Sequence, residues 1–267
     1  MGTMKNNSSS SKLPWKRTWI TGAGRGIGAA LAHGLCWAGV DVYASARSED
    51  QLQRLKSDLS DAPGRIHPCP LDICDIEQVE RLASDWDNTN LWPDLVVLNA
   101  GTHDPFPAAD FTAFRTMQLI ETNVGGTLNC LEPVLRHFMQ QNHGHIAVMA
   151  SVAGYRGLPT AAAYGASKAA LINLCEALHL DLKGTNVKLQ MICPGFVRTP
   201  LTDKNEFKMP ALMEPEDAAE RILEGLSSNR FEITFPKRFV YWLKLLRLLP
   251  YNWYFGLVAK ATGTGKG

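Results

Sequence analysis

Tyr164 and Lys168 stand in the run Tyr-Gly-Ala-Ser-Lys, and their types and spacing could do acid–base chemistry. A phenol has a reference pKa of about 10 and is a poor proton carrier near neutrality. A lysine four residues further along a helix lies over the same face. Its ammonium favours the phenolate, so the pair predicts a lowered tyrosine pKa. Lowering that pKa by ~3 corresponds to roughly 4 kcal/mol of differential interaction. A tyrosine so tuned can give a proton to a carbonyl oxygen or take one from an alcohol. Many helices carry this spacing by chance. Here it gains weight because a glycine-rich run, an Asn-Ala-Gly and a serine precede it in order.

The elements that must position these residues can be read from the alternation of β-rich runs and helical stretches. Strands are expected at 18–21, 40–46, 65–71, 95–99, 145–150, 187–193 and 231–235. Helices of ten or more residues are expected between them, among them 26–38 and 161–182, the second with Leu171, Leu174, Ala177, Leu178 and Leu182 on its apolar face. Strands that alternate with helices imply βαβ units, a parallel sheet covered on both faces, and right-handed crossovers. No repeat and no linker interrupts residues 16–236. The expectation is one doubly wound α/β domain with seven parallel strands.

The first strand runs into Thr21-Gly22-Ala23-Gly24-Arg25-Gly26-Ile27-Gly28, with a helix at once behind it. Glycines permit the turn and let backbone approach a ligand closely. The helix N-terminus then offers free N–H groups to a pyrophosphate. At the end of the second strand an NAD-binding chain usually carries an acid for the ribose hydroxyls. Ala46 and Arg47 stand there instead, and Arg25 adds a cation inside the loop. Two guanidinium groups suit a 2′-phosphate, which points to NADP(H) rather than NAD(H). Glu49 and Asp50 fall past the strand, where they read as charges at a helix start.

Thr21–Gly28, Asn99-Ala100-Gly101, Asn123, Ser151, Tyr164 with Lys168, and Pro194-Gly195 together resemble the classical short-chain dehydrogenase/reductase family over about residues 16–236. The resemblance implies a single-domain Rossmann fold and an oxidoreductase that interconverts a carbonyl and a secondary alcohol. It implies that Tyr164 is the acid/base, that Lys168 tunes it and bonds the nicotinamide ribose, and that Ser151 holds the substrate oxygen. Asn123 would sit in a helix and hold a water that links Lys168 to solvent. Gly22, Gly24, Arg25, Gly26, Ile27, Gly28 and Arg47 would bind the cofactor's phosphates and ribose. Asp72 would bond the adenine, Asn99 and Gly101 would line the cofactor cleft, and Pro194, Gly195 and Thr199 would lie along the nicotinamide. A homodimer or homotetramer paired through the helix at 161–182 is implied as well. The rival reading is a catalytically silent NADP(H)-binding scaffold or membrane-docked sensor. That reading would show a broken catalytic set, whereas all four catalytic positions are filled.

The composition is that of an ordinary globular chain of 267 residues, 45% hydrophobic and 20% charged. A net charge of +1 gives no case for nucleic acid as a partner. The six cysteines and seven histidines show no metal-ligand spacing. His143 and His145, either side of Gly144, read as a hydrated turn before the fifth strand. The cysteines read as reduced thiols of a cytoplasmic protein. Residues 1–15 and 261–267 are expected to be disordered tails.

Residues 200–215, with Phe207, Met209, Leu212 and Met213, would form a lid, and 152–159 the opposite wall. An apolar lid suits a hydrophobic alcohol or carbonyl compound, although the same side chains could pack only on the protein. Residues 237–260 carry five Lys/Arg, no acid and many large apolar side chains. This basic amphipathic extension could meet a membrane interface peripherally. It could equally pack on its own domain or on a partner subunit. Pro250 should end or kink its helix.

Overall fold

The computed structural model describes residues 13–205 and 209–263. Seven parallel strands form one sheet in the order β3-β2-β1-β4-β5-β6-β7. In chain order they are β1 (Arg17–Thr21), β2 (Asp41–Ser45), β3 (Ile66–Pro68), β4 (Leu95–Leu98), β5 (Gly144–Met149), β6 (Val187–Pro194) and β7 (Glu232–Phe235). The helices between them are α1 (Gly26–Trp37), α2 (Glu49–Asp58), α3 (Ile76–Thr89), α4 (Ala113–Ile120), α5 (Gly126–Gln141), α6 (Ala162–Asp181) and α7 (Pro215–Leu226). Two more, α8 (Lys237–Arg247) and α9 (Tyr251–Thr262), follow β7.

The strands alternate in the side of the sheet they feed. Trp19, Val96, Leu98, Ile146 and Val148 enter the core under α3, α5 and α6. Ile20, Leu95, Val97, Ala147 and Met149 enter the core under α1, α2 and α7. Both faces are therefore covered, which is why β4 reads as an unbroken hydrophobic run and β5 is buried along its whole length. The chain reverses its winding between β1 and β4. At such a switch point the loops beyond the strand C-termini part and leave a crevice.

Several expectations need correction. The third strand is three residues long rather than 65–71, because Pro68 and Pro70 lack the N–H a ladder needs. Cys69 and Leu71 nonetheless continue to donate to Ala44 and Ala46. The N-terminal tail does not reach residue 15: Trp15 is buried, packs 5.5 Å from the ring of His145, and belongs to the core. Residues 1–12 lie outside the described residues. At the other end Ala261 and Thr262 complete α9, and Gly263 ends it in the left-handed conformation with φ 72°. Residues 264–267 are not described. His145 is no hydrated turn residue. It sits buried in β5 with its Nε2 2.8 Å from Gln190 Oε1.

Candidate active site

The glycine loop is shaped by what it must avoid. Gly22 and Gly26 have φ of +67° and +57°, a region that side chains strain to enter. A Cβ on Gly28 would stand 2.3 Å from the Gly22 carbonyl, so the first turn of α1 can press against the loop only as glycine. Asn99 locks this arrangement. Its Nδ2 donates to the carbonyls of Thr21 (3.0 Å) and Gly22 (3.2 Å), while Thr21 Oγ1 accepts from the N–H groups of Asn99 and Ala100. Asn99 thus stitches β4 to the loop.

The N-terminus of α1 has no side-chain cap and no acid in its first turn. By contrast α2, α3 and α4 are capped by Ser48, Asp75 and Thr112. Open N–H groups at the end of a half-buried glycine turn are the chemistry a pyrophosphate requires. The residues present fit a dinucleotide at this point. Arg25 and Arg47 are exposed, and their side chains make no hydrogen bond or ion pair with the described residues. Glu49 and Asp50 lie in the first turn of α2, behind the Ser48 cap.

On the other side of the cleft α6 carries Tyr164 and Lys168. Gly154 lets the short turn after Ser151 press onto α6, because a Cβ there would lie 2.6 Å from the carbonyl carbon of Lys168. This packing brings Ser151 to Tyr164. Ser151 Oγ accepts the Ala153 N–H at 3.1 Å, and its hydroxyl stands near enough to the phenol to favour the ionised form.

Lys168 is buried, and its Nζ donates to the Met149 carbonyl at 2.7 Å. Burial lowers its pKa to about 8. The ammonium lies 5.8 Å from the centre of the Tyr164 ring.

The expected lowering of the tyrosine pKa is not what this geometry yields. Burial pushes the Tyr164 phenol up, and only the Ser151 hydrogen bond opposes the rise. The lysine turns its charge towards a strand carbonyl rather than the phenolic oxygen. In this arrangement Tyr164 is a neutral phenol that holds its proton.

Asn123 lies in a π-helical turn, Glu121–Gly125, between α4 and α5. It is fully buried and closely tied. Its Oδ1 accepts the Thr102 N–H at 2.7 Å, and its Nδ2 donates to the Thr102 carbonyl and to Ser167 Oγ, each at 3.0 Å. Its side chain thus braces the loop after β4 against α6. Gly101 passes between the two, where a Cβ would meet Asn123 Oδ1 at 3.1 Å and Lys168 Nζ at 3.6 Å.

A cleft open to solvent gathers Arg25, Gly26, Ile27, Asn99, Gly101, Ser151, Tyr164, Lys168, Pro194, Gly195 and Thr199 on one lining. Gly22, Gly24 and Gly28 form the loop behind it. The chain after β6 folds back over that loop, so that Thr199 Cγ2 lies 3.0 Å from a Cβ position on Gly26. Asn123 stands behind the lining. Arg47 and Asp72 lie away from it, past the ends of β2 and β3, and Asp72 Oδ1 closes a turn onto the Cys74 N–H at 3.0 Å.

Of the supposed lid, Met213 packs on the core, and its N–H and carbonyl bond Phe196 and Arg198. Phe207 lies outside the described residues. Among the described residues no cluster of His, Cys, Asp or Glu could hold a metal ion.

Sequence reasoning named Thr21 only as the first residue of the glycine motif, and did not find Thr102, His103 or Met149. Thr102 and Met149 act through backbone atoms, which no residue type announces. His103 follows the Asn-Ala-Gly by two positions, and that proximity was the one available signal.

Comparison with known proteins agrees with this architecture. Residues 16–209 match the family described as short chain dehydrogenase. An uncharacterized oxidoreductase of Myxococcus xanthus is 37% identical over 242 residues, covering 90% of this chain and 95% of its own length. A short-chain dehydrogenase/reductase from Burkholderia phymatum, solved in complex with NAD, superposes with a TM-score of 0.79 at 25% identity, over 88% of this chain and 93% of that one. An alcohol dehydrogenase from Thermococcus sibiricus, complexed with 5-hydroxy-NADP, gives a TM-score of 0.74 at 25% identity, over 82% of this chain and 95% of that one.

Proposed function

Since the chain belongs to the short-chain dehydrogenase/reductase family, we propose that it is an NADP(H)-dependent oxidoreductase that interconverts a carbonyl and a secondary alcohol on a hydrophobic small molecule. The observation that carries this reading is the meeting of Ser151 and Tyr164 beside buried Lys168, across one cleft from an uncapped helix N-terminus. Nicotinamide, when bound, exchanges the hydride.

The chain's residues do the rest. The Ser151 hydroxyl holds the substrate oxygen. Tyr164, a protonated phenol, donates to that oxygen as negative charge develops on it. Lys168, held on the Met149 carbonyl with its Nζ 5.8 Å from the ring centre, stabilises the phenolate that forms through its positive charge in a buried site. Asn123 and Ser167 hold the loop and helix that set this distance.

Arg25 and Arg47 support the choice of NADP(H). Both are exposed cations with no side-chain partner among the described residues, Arg25 on the cleft lining and Arg47 past the end of β2, and a 2′-phosphate would give them one. The two structural relatives above, one complexed with NAD and one with 5-hydroxy-NADP, leave that choice to these residues. Asp72 is proposed at the adenine and Thr199 at the carboxamide, with Pro194 and Gly195 along the nicotinamide. Exposed Phe114, Met117 and Leu180 on α4 and α6 support assembly as a homodimer or homotetramer.

The test is NADPH oxidation with a panel of hydrophobic aldehydes and ketones, run on the wild type and on Tyr164→Phe. Turnover should fall by roughly 10²-fold or more in the variant, with NADPH still bound. Turnover at the wild-type rate in that variant would sink the mechanism.

A further inference from the structure

The two helices after β7 present a surface that the fold leaves uncovered. Their inner side is firmly attached. Val240 and Tyr254 are buried, and the Tyr254 hydroxyl donates to the Gly157 carbonyl at 2.7 Å. Arg156 caps the end of α8, its Nη1 donating to the carbonyls of Leu246 (2.9 Å), Arg247 (3.1 Å) and Leu249 (2.7 Å). Its guanidinium lies over the ring of Tyr254, 4.0 Å from the centroid. Lys244 pairs with Glu232, which also accepts from the Tyr155 hydroxyl. These ties fix which side faces outward.

The outward side is apolar, aromatic and basic. Tyr241, Trp242 and Leu245 recur at helical spacing along α8, and Leu248 at its C-cap continues the row; Trp242 and Leu248 are 67% and 80% exposed. On α9 Trp253 is 68% exposed, with Phe255 and Leu257 beside it. Lys237, Arg238, Arg247 and Lys260 are exposed, and their side chains make no hydrogen bond or ion pair among the described residues. No acid occurs between residues 233 and 263.

We propose that this face of α8 and α9 docks in the plane of an anionic phospholipid bilayer. Tryptophan and tyrosine favour the headgroup boundary, and leucine and phenylalanine the acyl edge. Each Lys or Arg near an anionic surface adds about 1 kcal/mol of attraction, and no carboxylate on the segment opposes it. The mode is interfacial, since α8 and α9 have 11 and 12 residues and no described helix is long and apolar enough to cross a membrane. A second copy of the chain fits less well. Protein interfaces are depleted in lysine, and a two-fold contact would place these unpaired cations against one another.

A consequence rests on the proposed reductase function. Arg156 and Gly157 belong to the loop that follows Ser151, and Phe239 of α8 packs 5.8 Å from Phe196, just beyond β6. Docking here sets the catalytic cleft beside the lipid, so its carbonyl substrate would be one dissolved in the membrane.

The experiment is flotation of the full-length protein with vesicles of phosphatidylcholine alone or with about one third phosphatidylglycerol, without cofactor or carbonyl compound. Its result is therefore independent of the reductase reading. The protein should float with the anionic vesicles at least about ten-fold more than with the neutral ones and detach in high salt. Lys237→Ala with Arg238→Ala should lower the partition by roughly 30-fold. Trp242→Ser should lower it as well, at an unchanged melting temperature. Equal partition on both vesicle types, or none on either, overturns the proposal. So does self-association that Trp242→Ser abolishes without any vesicle binding, which would assign the face to a second copy.

Discussion

The ring of His103 stands edge-on to that of Tyr164, with centroids 4.5 Å apart and planes at 61°. His103 Nε2 lies 3.0 Å from Asn205 Oδ1, and the His103 carbonyl accepts from Lys204 Nζ at 2.8 Å. The Asn205 amide nitrogen faces Met209 Sδ, so its oxygen accepts and His103 Nε2 carries the proton. Nδ1 is buried without a partner among the described residues, and burial lowers the pKa of the ring. His103 thus couples the wall around Tyr164 to the segment that follows β6.

His103→Phe should keep the ring contact and lose the tie to Asn205. A neutral hydrogen bond contributes about 1 kcal/mol. The KM for a carbonyl substrate should therefore rise roughly five-fold, while the NADPH Kd stays near that of the wild type. Steady-state kinetics beside a fluorescence titration separate the two. An unaltered KM would show that the tie does not matter to substrate binding.

The pH profile of reduction follows from two directions. A raised phenol pKa keeps the Tyr164 proton in place across neutrality, whereas Lys168 loses its charge above about 8. With saturating NADPH, kcat/KM should be level from about pH 6 and decline once the lysine deprotonates. The apparent value belongs to the coupled pair. A profile that stays flat far above this range would show that the Lys168 charge is not used.

Arg47→Ala should weaken NADPH by roughly 10-fold and leave NADH nearly unaffected, as expected for one charge-assisted contact to a 2′-phosphate. Fluorescence titration with each cofactor measures it. An equal loss for both would place Arg47 elsewhere on the nucleotide.

His145 makes stability depend on acid. Its pKa falls from 6.5 to about 3 on burial. Below 6.5 the unfolded chain takes up a proton that the folded chain refuses, so stability falls with pH until about 3, where the folded form titrates too. Between about pH 7 and pH 5 this one group removes about 2 kcal/mol. Urea unfolding at both values should show a smaller change, by that amount, in His145→Phe. The variant should be weaker at both, because Gln190 Oε1 loses its partner.

Much of the site was legible because its signals are local. Tyr164 and Lys168 are one helical turn apart, and Gly22 and Gly26 need backbone angles that other residues resist. The order of strands and helices, and hence the doubly wound sheet, follows from hydrophobic period and turn residues in the same way. What the sequence could not supply depends on atoms brought together from distant segments. The carbonyl of Met149 takes the Lys168 ammonium and leaves the Tyr164 pKa to burial, opposite to the expected direction. Trp15 joins the core, and His145 finds Gln190 across the β5–β6 ladder rather than water. The outward face of α8 and α9 was likewise decided by Arg156 and Glu232, which hold the other face down. Residue type and spacing announce the chemistry a side chain can do, whereas its protonation and its partners depend on desolvation and long-range contacts that only the folded chain creates.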